Sequence, residues 1–340
     1  MSPLAMVLVS GGVLGVAAPV ALGRMRWLER ALERAPQPAA WLLLTATVGT
    51  LVALLLAGLL LLVPSGGLAL DLAALLRTCS MALRRALDAP TAPAGVGPLR
   101  PLLGLALLAT VPGGLLVGAV VAGARAWRAG RDHHELLLVA GHTLPGLPGV
   151  TVLDHAVPLA YCLPGGLWLW GRGRPGPVVV TSAALERLDA TELAAVLAHE
   201  RAHQTRRHHA LLLVAEALRR GFPWLPAART GRAAIARLVE LAADDAAVAH
   251  HGRADVITAL AKLALATPGP ISLRPVGLAA SGPNAVERIG RLTAPPARWT
   301  RWIGALLVAV LLVVVPLAAE LGAVTAPLLS VAGTPICPIT

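Results

Sequence analysis

The apolar residues of this chain stand in long blocks, and those blocks restrict what it can fold into. Four stretches, residues 3–22, 41–63, 101–121 and 302–319, each approach the roughly 20 apolar residues that a helix needs to cross a hydrocarbon core. Of the 340 residues, 56% are hydrophobic and only 14% charged, where a soluble domain has about 25% charged. A segment in lipid must satisfy its backbone hydrogen bonds internally, so the expected fold is a mainly α membrane protein with about four transmembrane helices. Trp41 and Trp302 stand at block edges, where indole rings favour the interface. Pro19, Pro112 and Pro316 fall inside blocks and are tolerated there. The pairs Gly11/Gly15 and Gly114/Gly118 have the four-residue spacing that lets helices approach closely, although glycine is abundant throughout the chain.

Arginine placement argues for an orientation, because short cytoplasmic loops carry the excess of positive charge. Arg24, Arg26, Arg30 and Arg34 follow the first block; Arg125, Arg128 and Arg131 follow the third; Arg288, Arg291, Arg298 and Arg301 precede the fourth. All three groups fall on one side of the membrane. The expected division is residues 1–124 with three spans, a cytosolic α+β region over 125–301, a fourth span at 302–319 and a short tail at 320–340. Residues 1–22 lack a charged leader and precede an arginine cluster, so a retained anchor is expected rather than a cleaved signal. In the loop between the second and third spans, residues 68–87 have the pattern of an amphipathic helix lying on the membrane.

The net charge of +11 is not read as a nucleic-acid signal. The cations are almost all arginine beside apolar spans, and with one tyrosine and one phenylalanine the chain is poor in stacking side chains. Attraction to anionic membrane lipids accounts for the charge, and no direct nucleic-acid partner is expected. Cys79, Cys162 and Cys337 have no C-x-x-C spacing, and Cys162 reads as a small apolar filler.

Chemistry is concentrated at His199-Glu-Arg-Ala-His203, an H-E-x-x-H string in a segment, residues 191–213, that reads as one helix. Residues four apart share a helix face, so both imidazoles can address one Zn2+ ion with Glu200 beside its open position as general base. A catalytic zinc takes a third protein ligand. The helix expected over residues 232–250 supplies it in Glu240, while Asp244, one turn on, is the candidate acceptor for the free N–H of a ligand histidine. Asp245 reads as a solvated neighbour. Candidate oxyanion stabilisers are His250, His251 and Arg253, which are equally ordinary cations at a helix C-terminus.

Residues 160–166 (AYCLPGG), 177–182 (PVVVTS), 193–200 (LAAVLAHE) and the Glu240-x-x-x-Asp244 pair resemble the integral-membrane gluzincin peptidases. Two branches fit: the BlaR/MecR type, antirepressor peptidases of beta-lactam signalling, and the HtpX/CAAX-prenyl endopeptidase type. The layout is nearer the first. The resemblance implies a zinc metalloendopeptidase in a bacterial plasma membrane with His199, His203 and Glu240 as ligands, Glu200 as base and Asp244 behind them. A cytosolic transcriptional repressor is the implied substrate of the first branch and surplus membrane protein that of the second. A non-catalytic zinc-binding membrane transducer is the third reading. Only residues 320–340 follow the fourth block, so a penicillin-binding sensor domain is not expected. These families often carry an aspartate five residues after the second histidine; here that position is His208, followed by His209, and the turn with Arg206 and Arg207 reads as solvated and basic.

Residues 150–153, 159–162 and 177–180 are apolar runs between Gly and Pro and suit a small sheet, with 167–170 as a further strand or membrane-facing loop. Ser182 and Asp189 are plausible helix starts. Val178, Val179, Val180 and Thr181 form a candidate edge for binding an extended peptide substrate, or else a plain core strand. Asp132-His-His-Glu135 lacks a companion cluster for metal binding, and residues 267–296, rich in Pro, Gly and Ser, read as loop.

Overall fold

The computed structural model describes residues 11–12, 15–16, 26–62, 99–165, 176–266, 278–279 and 285–294. The expected fourth span, the 68–87 helix, the 167–170 run, Cys79 and Cys337 lie outside the described residues, as does most of the first block. Two described helices are long and apolar enough to cross a membrane: α2 (Pro36–Leu62), preceded by the short α1 (Arg26–Arg34), and α3 (Leu99–Ala140).

Helix α3 runs unbroken past residue 121, because Ala, Arg and Leu continue it in spite of Gly123 and Gly130. Its 42 residues give a rod of about 63 Å, twice the hydrocarbon thickness. The expected boundary at 124/125 therefore falls inside one helix that leads into the sheet. Leu115, Leu116, Val117 and Val120 are exposed on it, an apolar run of the kind that marks a membrane or protein interface.

Behind that face α3 packs on α6 (His208–Gly221). A Cβ at Gly118 would sit 2.1 Å from the Ala217 carbonyl oxygen, and one at Gly114 would sit 2.6 Å from the Phe222 ring. These two glycines are where the backbones meet, so of the two readings of their spacing the packing one holds. A helical core of Leu43, Leu51, Leu211, Leu218, Phe222, Ile235 and Leu238 then joins α2 and α6 to α7 (Pro226–His250).

Five short strands follow the order β1-β2-β4-β3-β5, with β1 Gly141–Thr143, β2 Val150–Leu153, β3 Ala160–Cys162, β4 Val178–Thr181 and β5 Leu278–Ala279. Strand β4 pairs parallel with β2 and antiparallel with β3, and all four of its residues are buried. This corrects the edge-strand expectation for Val178–Thr181: both edges are already paired, so no peptide can add there. The four-residue run without a polar alternation is that of a fully buried strand.

Helices α4 (Ser182–Arg187) and α5 (Ala190–Thr205) come next, and Asp189 starts α5 through a capping box with Glu192. The single helix expected over 191–213 is instead two. Arg207 takes a left-handed φ of 54°, ending α5 and starting α6 in a new direction. Helix α7 begins six residues before the expected start, with Pro226 in its first turn. After α8 (Arg253–Leu265), the region read as loop contains β5 and α9 (Ala285–Thr293). Helix α9 has a polar and an apolar face, a pattern that the surrounding Pro and Gly obscured.

Candidate active site

Helix α5 is held between the sheet and α7. Val196 and Leu197 pack with Cys162, Val178 and Val180. Ala202 packs with Ala243 and Ala246 of α7, and side chains this small let the two helices come close. The approach brings the H-E-x-x-H turn of α5 beside Glu240 of α7.

The structure gathers His199, His203 and Glu240 into a group whose ligand atoms all lie within 4.8 Å of one another. The two Nε2 atoms are 3.1 Å apart, and Glu240 Oε2 and Oε1 lie 3.5 Å from His199 Nε2 and 3.7 Å from His203 Nε2. Tetrahedral bonds of about 2.0–2.1 Å put ligand atoms about 3.3–3.4 Å apart, so the donor set fits a metal ion. Both histidines are buried, and their nitrogens converge on a common point that a third donor also faces.

Asp244 lies behind His199, with Oδ1 3.0 Å from Nδ1. That contact fixes the tautomer leaving Nε2 free for the shared point. Asp244 in turn accepts a bidentate pair from Arg288 of α9, from Nε at 2.8 Å and Nη2 at 2.6 Å, while Arg288 Nη1 stands 3.2 Å from Glu240 Oε2. Against its burial, Arg288 and His199 hold the Asp244 carboxyl well below the usual range. Burial alone would lower His199, but Asp244 and Glu240 raise it to about 9. Asp245, expected to be solvated, is bonded to Arg291 at 2.8 and 2.9 Å. The loop reading of 267–296 concealed both arginines.

Glu200 is fully buried beside the Cys162 thiol, and neither carboxylate oxygen accepts from an N–H among the described residues. Burial, reinforced by Glu240 and opposed by His199, pushes it up to about 8. Burial and the two carboxylates also raise Cys162, which keeps its thiol protonated as the filler its sequence context suggested.

The other predicted candidates do not join this group. His250 lies ten residues beyond Glu240 on the same helix, about 15 Å along its axis, and its Nδ1 lies 2.9 Å from the Ala246 carbonyl oxygen. His251 caps α7, and Arg253 donates to the Leu292 carbonyl at 3.2 Å. The oxyanion assignment to these three residues is thereby corrected. In the Asp132–Glu135 run, His133 Nε2 lies 2.6 Å from the Tyr161 hydroxyl and Glu135 pairs with Arg131.

In the turn read as solvated and basic, Arg206 and Arg207 are exposed but His208 is not. His208 is fully buried, its Nδ1 2.9 Å from His203 Nδ1 and its Nε2 2.7 Å from Gln37 Oε1. Burial lowers His209 to about 4, opposed by the Cys162 backbone and by Glu240. Both histidines point inward because the turn at Arg207 redirects the chain.

Residues 134–295 match the model of peptidase family M48. A peptidase M48 domain is present. It spans every residue of the gathered group and indicates a metallopeptidase, and metal dependence agrees with the donor geometry. No curated protein and no solved structure matches the chain.

Proposed function

We propose that the chain is a membrane-embedded zinc endopeptidase, with His199, His203 and Glu240 holding one Zn2+ and Glu200 acting as the base. The observation that carries this reading is the convergence of three ligand atoms beside a buried carboxylate that no N–H holds. Two imidazoles and one carboxylate form a known zinc donor set. A metal held by these three side chains would supply Lewis acidity and lower the pKa of a bound water. Glu200 would take that proton and return it to the leaving amine. Asp244 and Arg288 keep His199 oriented through both transfers.

The membrane reading rests on α2, on the exposed apolar face of α3 and on the arginine groups that follow the first and third apolar blocks, which also suit anionic lipid headgroups. The same groups support a cytoplasmic site, because short cytoplasmic loops carry the excess of positive charge. The favoured role is regulatory cleavage of a cytosolic repressor, with quality control of membrane proteins as the second.

A census of new protein N-termini, in cells carrying the wild type against cells carrying Glu200→Gln, tests the proposal. Termini unique to the wild type are expected, and their occurrence in a soluble regulator or in membrane proteins chooses the role. Identical censuses, with zinc bound in both proteins, would favour a non-catalytic transducer.

A further inference from the structure

We infer that His208 and Gln37 position the metal-ligand histidine His203, forming a wholly uncharged relay from the metal site to the first turn of the apolar helix α2. This rests on the reading of His203 as a ligand.

The argument begins with the tautomers. His203 Nε2 faces the point shared with His199 and Glu240. A histidine that ligates through Nε2 carries its proton on Nδ1, and that N–H needs an acceptor because the ring is fully buried. The atom at hand is His208 Nδ1, at 2.9 Å. To accept, His208 must carry its own proton on Nε2, and that nitrogen lies 2.7 Å from the Gln37 side-chain oxygen. Each N–H therefore has one acceptor: His203 donates to His208, and His208 donates to Gln37.

The backbone explains how two histidines five residues apart meet. In an unbroken helix they would point about 140° apart. The left-handed Arg207 ends α5 and turns His208 back over His203, with ring centroids 4.9 Å apart at 80°.

The two ligand histidines are thus supported differently. His199 leans on a carboxylate that is itself paired to Arg288, whereas His203 leans on neutral groups only. A neutral acceptor makes His203 a weaker donor than a carboxylate would, and it joins the site to a helix 171 residues away in sequence. A displacement of the first turn of α2 alters the orientation of His203.

Zinc affinity of the detergent-solubilised full chain, read by competition with a chromophoric chelator at fixed pH, tests this against metal-free thermal stability. His208→Leu removes the acceptor, and the expected loss is about 10–100-fold in affinity. His208→Asn places an amide oxygen where Nδ1 stands, and affinity is expected to recover to within about threefold. Gln37→Leu leaves His208 in place but unanchored, and a smaller loss is expected, below about 10-fold. Wild-type affinity in both His208→Leu and Gln37→Leu overturns the inference alone, as does failure of His208→Asn to recover affinity while its metal-free stability matches the wild type. If His208→Leu does not fold, the other two variants still decide. A wild-type chain that takes up no zinc overturns the metal-site reading itself.

Discussion

At the residue scale the site depends on one buried ion pair. Asp244 and Arg288 are 1% and 2% exposed, so removing either partner leaves a buried charge. Arg288→Met should destabilise the protein by about 3–5 kcal/mol, as breaking a buried pair does. The double variant Asp244→Asn/Arg288→Met should regain most of that in thermal unfolding while zinc affinity stays reduced, because the neutral amide holds His199 less well. Additive losses in the double variant would show that the two side chains act separately. Of the residues at the site, His199, Glu200, His203, Glu240 and Asp244 were legible because local spacing encodes a shared helix face. Arg288 and His208 were not. Arg288 acts through a contact 44 residues away in sequence, and His208, although it stands five residues after the second histidine, is buried only through the turn at Arg207 and a contact 171 residues away.

At the element scale the decisive features are a turn and a glycine pair. The sequence between residues 191 and 213 carries no Gly or Pro, so nothing local announces the break at Arg207. Burial of His208 and the apolar face of α6 set it instead. The strands at 150–153 and 160–162 were legible from their apolar runs, but strand order was not, and so the central position of β4 went unread. The Gly114/Gly118 spacing did report the packing of α3 on α6. Gly118→Val should lower thermal stability by at least about 1–3 kcal/mol, since its Cβ would enter the Ala217 carbonyl. Gly113→Ala on the same helix meets nothing within 4 Å and serves as the control. Equal stability of the two variants would remove the close approach from the account.

At the scale of the whole molecule, the peptidase domain and the apolar helices share one core. Leu211, Leu218, Phe222 and Ile235 of the domain are buried against Leu43 and Leu51 of α2 and Val111 of α3. Residues 134–295 expressed alone should therefore aggregate rather than give a monodisperse soluble species, because that face would be uncovered. A folded, soluble, zinc-binding fragment, seen by gel filtration with metal analysis, would contradict a shared core. The apolar blocks were legible from composition, whereas their fusion with the catalytic core was not, since a buried helix and a lipid-facing one read alike in sequence.

The most direct test of the central claim is proteolysis of an unfolded protein by the purified, detergent-solubilised full chain, compared with Glu200→Gln at equal zinc content. The account predicts cleavage by the wild type that a chelator abolishes and zinc restores. Glu200→Gln should retain the metal and lose at least about 100-fold in rate. Equal cleavage by the two proteins, or cleavage indifferent to the chelator, would contradict it.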